Sequence, residues 1–174
     1  TINKENKNVV GFDKSEVQFK DYLWYINEEE NDGNKIVFDK NLQNFSFENI
    51  VASHEGEKIN LNGLLTGKSK KDFKLTFDNV NLNKVTPDVD KFKFDGKLNG
   101  VVDFKQDGEV FQPTSSLLIE DLFVNNIALG NLDLDIKGDE SLSKFYLSSS
   151  LENENVDSFN ADGSLEIIDK KTLL

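Results

Sequence analysis

The chain has 174 residues, and its 20 basic residues, all lysine, stand against 32 acidic residues for a net charge of −12. This length supports a domain with a hydrophobic core, and 37% hydrophobic residues with 14 Phe are too many for a disordered chain. The acidic balance argues against nucleic-acid binding, because phosphate backbones attract basic surfaces. The absence of Cys excludes disulfides, thiolate zinc sites and a cysteine nucleophile.

The main pattern along the chain is alternation of apolar and polar residues with a period of two. This period predicts strands that place one face on apolar material and the other in water. The segment from Tyr22 to Ile26 differs because it is apolar at every position. It predicts a central strand buried on both sides, or a strand that also meets a neighbouring module. The alternating apolar positions include Ile59, Leu61, Leu65, Phe73, Leu75, Phe77, Leu98, Val102, Phe104, Leu132, Leu134, Ile136, Phe145, Leu147, Leu151, Phe159, Ala161 and Leu165.

Turn-forming residues separate these runs. Hairpin-type dipeptides occur at 32–33, 55–56 and 107–108, each ending in Gly. We expect both prolines, Pro87 and Pro113, to lie in breaks between strands. No stretch has a sustained helical period, and Asn83–Lys91 is predicted to hold at most one short helical turn.

The expected fold is therefore all-β: a long, mostly antiparallel, twisted sheet curled into an open, taco-like apolar groove. The alternative is a closed two-sheet β-sandwich. We expect a lead-in segment at 1–16, one groove domain at 17–168 and a cut end at 169–174. Because the chain starts at Thr1 without a signal peptide, we expect a piece of a longer, repetitive protein whose anchor lies elsewhere.

No residue pattern points to catalysis or to a metal. His54 is the sole histidine, it lies in a polar turn, and there is no nucleophile elbow for it to serve. Asn131, Asp133 and Asp135 match the start of a calcium loop, but Ile136 stands where that loop needs Gly. The other carboxylates fall mostly on the polar side of the strands. We predict a protein that is not an enzyme and needs no cofactor.

The order of the segments resembles a known family. Trp24 lies in an N-terminal strand, 45-FSFENI-50 precedes 58-KINLNG-63, and 73-FKLTFDNVNL-82 leads through Pro87 into 94-FDGKLNG-100. Leu129-Gly130 then introduces the strand at 133–135, and 160-NADGSL-165 ends the series. Over residues 17–168 this order is similar to the β-rich region of the TamB (translocation and assembly module) family, most of all in its Bacteroidetes-type members.

The resemblance implies a periplasmic role. TamB-like proteins are grouped with AsmA-like and bridge-like lipid transfer proteins, are anchored in the inner membrane and span the periplasm as an apolar β-groove. They are associated with phospholipid transport to the outer membrane and with outer-membrane protein assembly alongside a barrel partner. The resemblance implies no catalytic residue, and it leaves the anchor and the partner-binding region outside this chain.

The predicted ligand is the acyl part of a phospholipid, held on the inward set of the strands. The alternative is a periplasmic or surface adhesion module that binds protein or glycan through its polar face. A second alternative for the apolar residues is a closed core without a guest. The lipid-contact candidates are Leu75, Phe77, Leu98, Val102, Phe104, Leu132, Leu134, Phe145, Leu147 and Leu165.

Overall fold

A computed structural model describes residues 7–86, 91–153 and 156–167. The described chain is almost entirely β-structure, as the alternation predicts. The only helix within these residues is a single short turn. The elements are β1 (Lys7–Gly11), β2 (Ser15–Phe19), β3 (Tyr22–Ile26), β4 (Lys35–Asp39), β5 (Asn44–His54), β6 (Glu57–Thr66), β7 (Lys70–Asn81), α1 (Leu82–Val85), β8 (Phe94–Asp107), β9 (Val110–Val124), β10 (Ile127–Gly138), β11 (Lys144–Asn153) and β12 (Val156–Glu166).

All twelve strands belong to one antiparallel sheet that does not close. Its order is β1-β4-β5-β6-β7-β8-β9-β10-β11-β12, and β2 joins through β3, which pairs with β5. From β4 to β12 each strand pairs with its neighbour in sequence, since short turns connect antiparallel strands directly. The predicted open sheet is confirmed, and the two-sheet sandwich is not formed.

The N-terminal part of the sheet differs in detail from expectation. β1 lies inside the predicted lead-in segment and pairs with β4, so the sheet begins before residue 17. β3 is not a central strand: it pairs with β2 and meets β5 only at Tyr25 and Ile26. Its Trp24 is buried whereas Leu23 is exposed, so the all-apolar segment covers the end of the sheet rather than its middle.

The helical turn predicted within 83–91 is present as α1, although residues 87–90, including Pro87, lie outside the described chain. Asn81 caps α1 by accepting a hydrogen bond from the backbone N–H of Asn83. Pro113, in contrast, lies within β9 and not in a break. It pairs with Phe104 of β8, while the register with β10 begins only at Thr114. Proline has no backbone N–H to donate. It is tolerated at this position because the hydrogen-bonded register between β9 and β10 has not yet begun there.

Three bulges of the same construction occur in alternate strands of the sheet. In each, two residues of one strand oppose a single residue of the next: 48–49 in β5, 78–79 in β7 and 120–121 in β9. The second bulged residue has a positive φ in every case, at Asn49, Asn79 and Asp121. Bulges bend a strand and increase its twist, so the three together curl the sheet.

The residue opposite each bulge is an asparagine. The Oδ1 atoms of Asn62, Asn99 and Asn131 accept hydrogen bonds of 2.9, 2.8 and 3.0 Å from the backbone N–H of the second bulged residue. The asparagine side chain thus supplies the hydrogen-bond acceptor that the bulged N–H would otherwise lack. The hairpins β5–β6, β7–β8 and β9–β10 are therefore three copies of one structural unit.

Candidate functional site

The register places the ten predicted lipid-contact residues on one face of the sheet. Directly opposed residues in an antiparallel pair share a face. Leu75 opposes Val102, and Leu98 opposes Ile119, which in turn opposes Leu132. The remaining members follow through the pairs Phe77–Gly100, Phe104–Pro113, Leu134–Leu117, Leu147–Gly163, Leu147–Ile136 and Phe145–Leu165.

This apolar face has two parts. At one end, six buried side chains form a core, which we call the sealed end: Trp24, Val80, Leu82, Leu98, Ile119 and Leu122. Leu98 is thus a core residue, and Phe77 and Leu132 pack against the core as partly buried neighbours. For these three of the ten candidates, the structure favours the alternative of an ordinary closed core.

The rest of the apolar face is half-covered. We call it the open region, defined by Phe38, Phe45, Phe47, Phe73, Leu75, Val102, Phe104, Phe111, Leu134, Ile136, Phe145 and Leu147. None of these residues is buried, and none packs against the sealed end. The principal contacts of the described strands are with their sheet neighbours, while α1 contacts β7 and β8.

Phenylalanines form a nearly continuous row across the open region. Ring centroids are 5.7 Å apart for Phe38–Phe45, 6.4 Å for Phe45–Phe47 and 5.8 Å for Phe47–Phe73. Phe73 opposes Phe104 in the register, and Phe104 lies 6.2 Å from Phe111. Aromatic pairs at these distances stabilise each other while leaving ring surface available to a ligand.

A strand glycine makes room for one of these rings. A Cβ at Gly63 would lie 2.3 Å from the Phe73 ring, so only glycine lets that ring lie across β6. Gly138 has the same role beside Pro113 and Phe145. The aromatic row therefore depends on the glycines as much as on the phenylalanines.

The edge of the sheet is the most exposed part of the face. Leu165 on β12 is 60% exposed, and Phe159 on the same strand is 62% exposed. At the opposite edge, Val10 of β1 opposes Ile36 and is also exposed. The apolar face thus runs from edge to edge, and β12 presents part of it to solvent.

Charged groups close the sealed end. The buried Glu57 carboxylate lies 2.8 Å from Lys84 Nζ and 3.7 Å from Lys97 Nζ, and it accepts a 3.2 Å hydrogen bond from the Asn81 N–H. Lys84 Nζ also lies 5.1 Å from the Tyr22 ring centroid. A buried carboxylate is tolerated only with such partners, so this network holds α1 against the first residue of β6.

His54 packs against two aromatic rings. Its Nδ1 lies 2.7 Å from the Leu23 carbonyl oxygen, and its ring lies 5.7 Å from Tyr22 and 5.5 Å from Trp24. No group of carboxylates and histidines within the described residues converges as a metal site requires. What the open region offers is contact with apolar groups, which is non-directional.

Sequence reasoning missed several residues of the open region. Phe38, Phe45, Phe47 and Phe111 belong to it, and the alternation of 45-FSF-47 was the available signal. The bulges also left a signal in three four-residue motifs: 47-FENI-50, 77-FDNV-80 and 119-IEDL-122. Each has an apolar residue, an acidic residue, Asn or Asp, and a second apolar residue.

Comparisons with known proteins add no further information. No family, no curated protein and no solved structure matches this chain. In the described part of the chain, no helix is both long and apolar enough to span a membrane.

Proposed function

We propose that this chain is a non-catalytic segment of a periplasmic lipid bridge. In this proposal the open region shelters phospholipid acyl chains on their way from the inner to the outer membrane. The bridge belongs to an inner-membrane-anchored, TamB-like protein that also supports outer-membrane protein assembly. Its anchor and the contacts with a barrel partner lie in other parts of that protein.

One observation carries the proposal: an apolar face that runs across ten paired strands, from β1 to β12, is buried at one end only. Single exposed apolar residues are ordinary, but a contiguous apolar surface of this extent is unfavourable in water and calls for a ligand or partner. Of the ten candidates, seven lie outside the sealed end: Leu75, Val102, Phe104, Leu134, Phe145, Leu147 and Leu165.

An acyl chain suits this surface better than a compact ligand does. Each methylene transferred from water contributes about 0.8 kcal/mol, so a long chain gains affinity from an extended surface without any polar contact. Rows of Leu and Phe supply such contacts along each strand. The face offers few groups that would recognise one head group over another, which fits a carrier of several phospholipids.

Native mass spectrometry of the chain purified from bacterial cells tests the proposal. We expect bound phospholipid, and we expect Val102→Asp to lose it while remaining folded. Val102 is half-buried between Leu75 and Ser115, so a carboxylate there stays hydrated and repels acyl chains.

Thr76→Asp is the matched control, since Thr76 lies one residue from Leu75, on the polar face. This variant should keep its lipid. The proposal fails if the parent chain never carries phospholipid after gentle purification, or if both variants retain it equally.

A further inference from the structure

The polar face carries a surface pocket of about 560 Å³ on strands β8 to β12. Two cross-strand rows of side chains form it. One row runs Val101–Ser116–Asp135–Ser148–Asp162, and the other includes Asp103–Thr114–Lys137–Tyr146. With strands about 4.8 Å apart, the longer row extends over roughly 19 Å. The volume is typical of small-molecule binding sites.

The polar side chains of this pocket lack partners within the described chain. The structure records no hydrogen bond or ion pair there for Asp103, Asp135, Lys137 or Asp162, nor for the hydroxyls of the pocket's Ser and Thr side chains. Elsewhere on the polar face several such groups pair with one another. Lys105 lies 3.8 Å from Asp72, for example, and Asn99 donates a 2.9 Å hydrogen bond to Glu120.

One aromatic ring borders the pocket. Tyr146 is 52% exposed, although most aromatic rings of this chain lie on the apolar face. Lys144 Nζ lies 5.4 Å from the ring centroid and itself pairs with Glu166 at 3.0 Å, so the ring is supported from one side. The ring therefore offers an exposed aromatic face next to unpaired carboxylates and hydroxyls.

From these features we infer that the pocket binds a neutral oligosaccharide. The C–H groups on one side of a sugar ring pack on the negative face of an aromatic ring. Adjacent sugar hydroxyls donate to carboxylates such as Asp135 and Asp162, which can each accept several hydrogen bonds, and Lys137 donates to sugar oxygens. The small Ser116 and Ser148 lie on either side of Asp135 and leave its carboxylate accessible.

The charges of the pocket argue against other ligands. Three carboxylates and one lysine disfavour phosphate, sulfated or uronic-acid ligands. The carboxylates do not converge on a common point, and no metal-binding group is formed in the described chain. The site is separate from the proposed lipid function because it lies on the opposite face of the same strands.

Isothermal titration with cellotetraose, maltotetraose, mannotetraose and chitotetraose tests the inference. We expect at least one of these neutral sugars to bind with a Kd of about 1 mM or tighter. Tyr146→Ala should weaken binding by roughly tenfold or more, and Asp135→Ala by a similar factor, since each removes a principal contact.

Phe123→Ala is the control, because Phe123 is exposed but lies outside the pocket. It should bind like the parent, and so should Val102→Asp on the opposite face. The inference is overturned if none of the four sugars binds, if Tyr146→Ala binds as the parent does, or if only a lysine-rich peptide binds. Sugar binding without bound lipid would refute the lipid proposal alone.

Discussion

At the sealed end, Val80 and Leu98 pack with Trp24 of β3 and Leu82 of α1, whereas Leu75, Val102 and Phe104 in the open region are only half-covered. The strands and the alternation are the same in both places. The difference comes from the added elements: β3 and α1 contribute buried side chains to the sealed end only. An identical apolar pattern therefore stabilises the fold at one end and remains available for a ligand at the other.

The largest expected effect is a contrast between two substitutions on β8. Leu98 is only 6% exposed. Leu98→Asp therefore buries an unpaired carboxylate, and this burial costs several kcal/mol and should prevent stable folding. Val102→Asp, four residues along on the same face, should cost about 1 kcal/mol or less because the carboxylate keeps its water. Urea unfolding followed by circular dichroism measures both. Equal losses would mean that the open region is as sealed as the core.

A second contrast concerns glycines. Gly100 follows Asn99, the residue opposite the β7 bulge. It has φ +128°, and a Cβ there would collide with the Ser116 carbonyl oxygen. Gly100→Ala should therefore cost about 2–4 kcal/mol. Gly163 on β12 has open space around its Cα and no positive φ, so Gly163→Ala should change stability by no more than about 0.5 kcal/mol. Thermal melting of the two variants gives the comparison directly.

The bulges can be tested through their asparagines. Asn131→Ala removes the acceptor for the Asp121 N–H and should cost about 1 kcal/mol. Asp133→Ala, two residues further along the same strand, removes no hydrogen bond within the described chain and should be nearly neutral. Chemical denaturation provides the values. If Asn131→Ala were also neutral, the side chain would not hold the bulge.

Acid should destabilise two turns next to the open region, the β4–β5 turn and the β10–β11 turn. The pKa of Asp139 is held well below its usual range, because its carboxylate accepts hydrogen bonds from the Ser141 hydroxyl, the backbone N–H of Lys144, and the hydroxyl and backbone N–H of Ser143. Asp39 has the same arrangement, and its pKa is lowered chiefly by the Gln43 N–H. Each turn places a leucine at positive φ, Leu42 or Leu142.

A carboxylate whose pKa is lower in the folded state stabilises the fold above its unfolded pKa, about 3.9, and this contribution is lost as the pH falls through the folded pKa. Asp139→Asn should therefore lower the melting temperature at neutral pH and flatten its decline between about pH 5 and pH 2. Melting curves across this range test it, with Asp133→Asn as the control. A decline as steep as that of the parent would show that Asp139 does not contribute.

Much of the fold was predictable because the period of two is a local property of a strand. It identified β6, β7, β8, β10, β11 and β12 and placed all ten candidate residues on one face, and the Gly-ending dipeptides located several turns. The weak points were short or irregular elements. β1 has only five residues, and Pro113 concealed the first part of β9, since proline ordinarily marks a break.

The sequence by itself determined that Leu75, Leu98 and Val102 face the same side, because side chains alternate whatever the neighbours do. Only the tertiary structure decided that Leu98 is a core residue and Val102 is not. That distinction depends on where α1 and the β2–β3 hairpin lie. Their contacts join residues far apart in sequence, for example Lys84 of α1 with Glu57 of β6, so no local pattern encodes them.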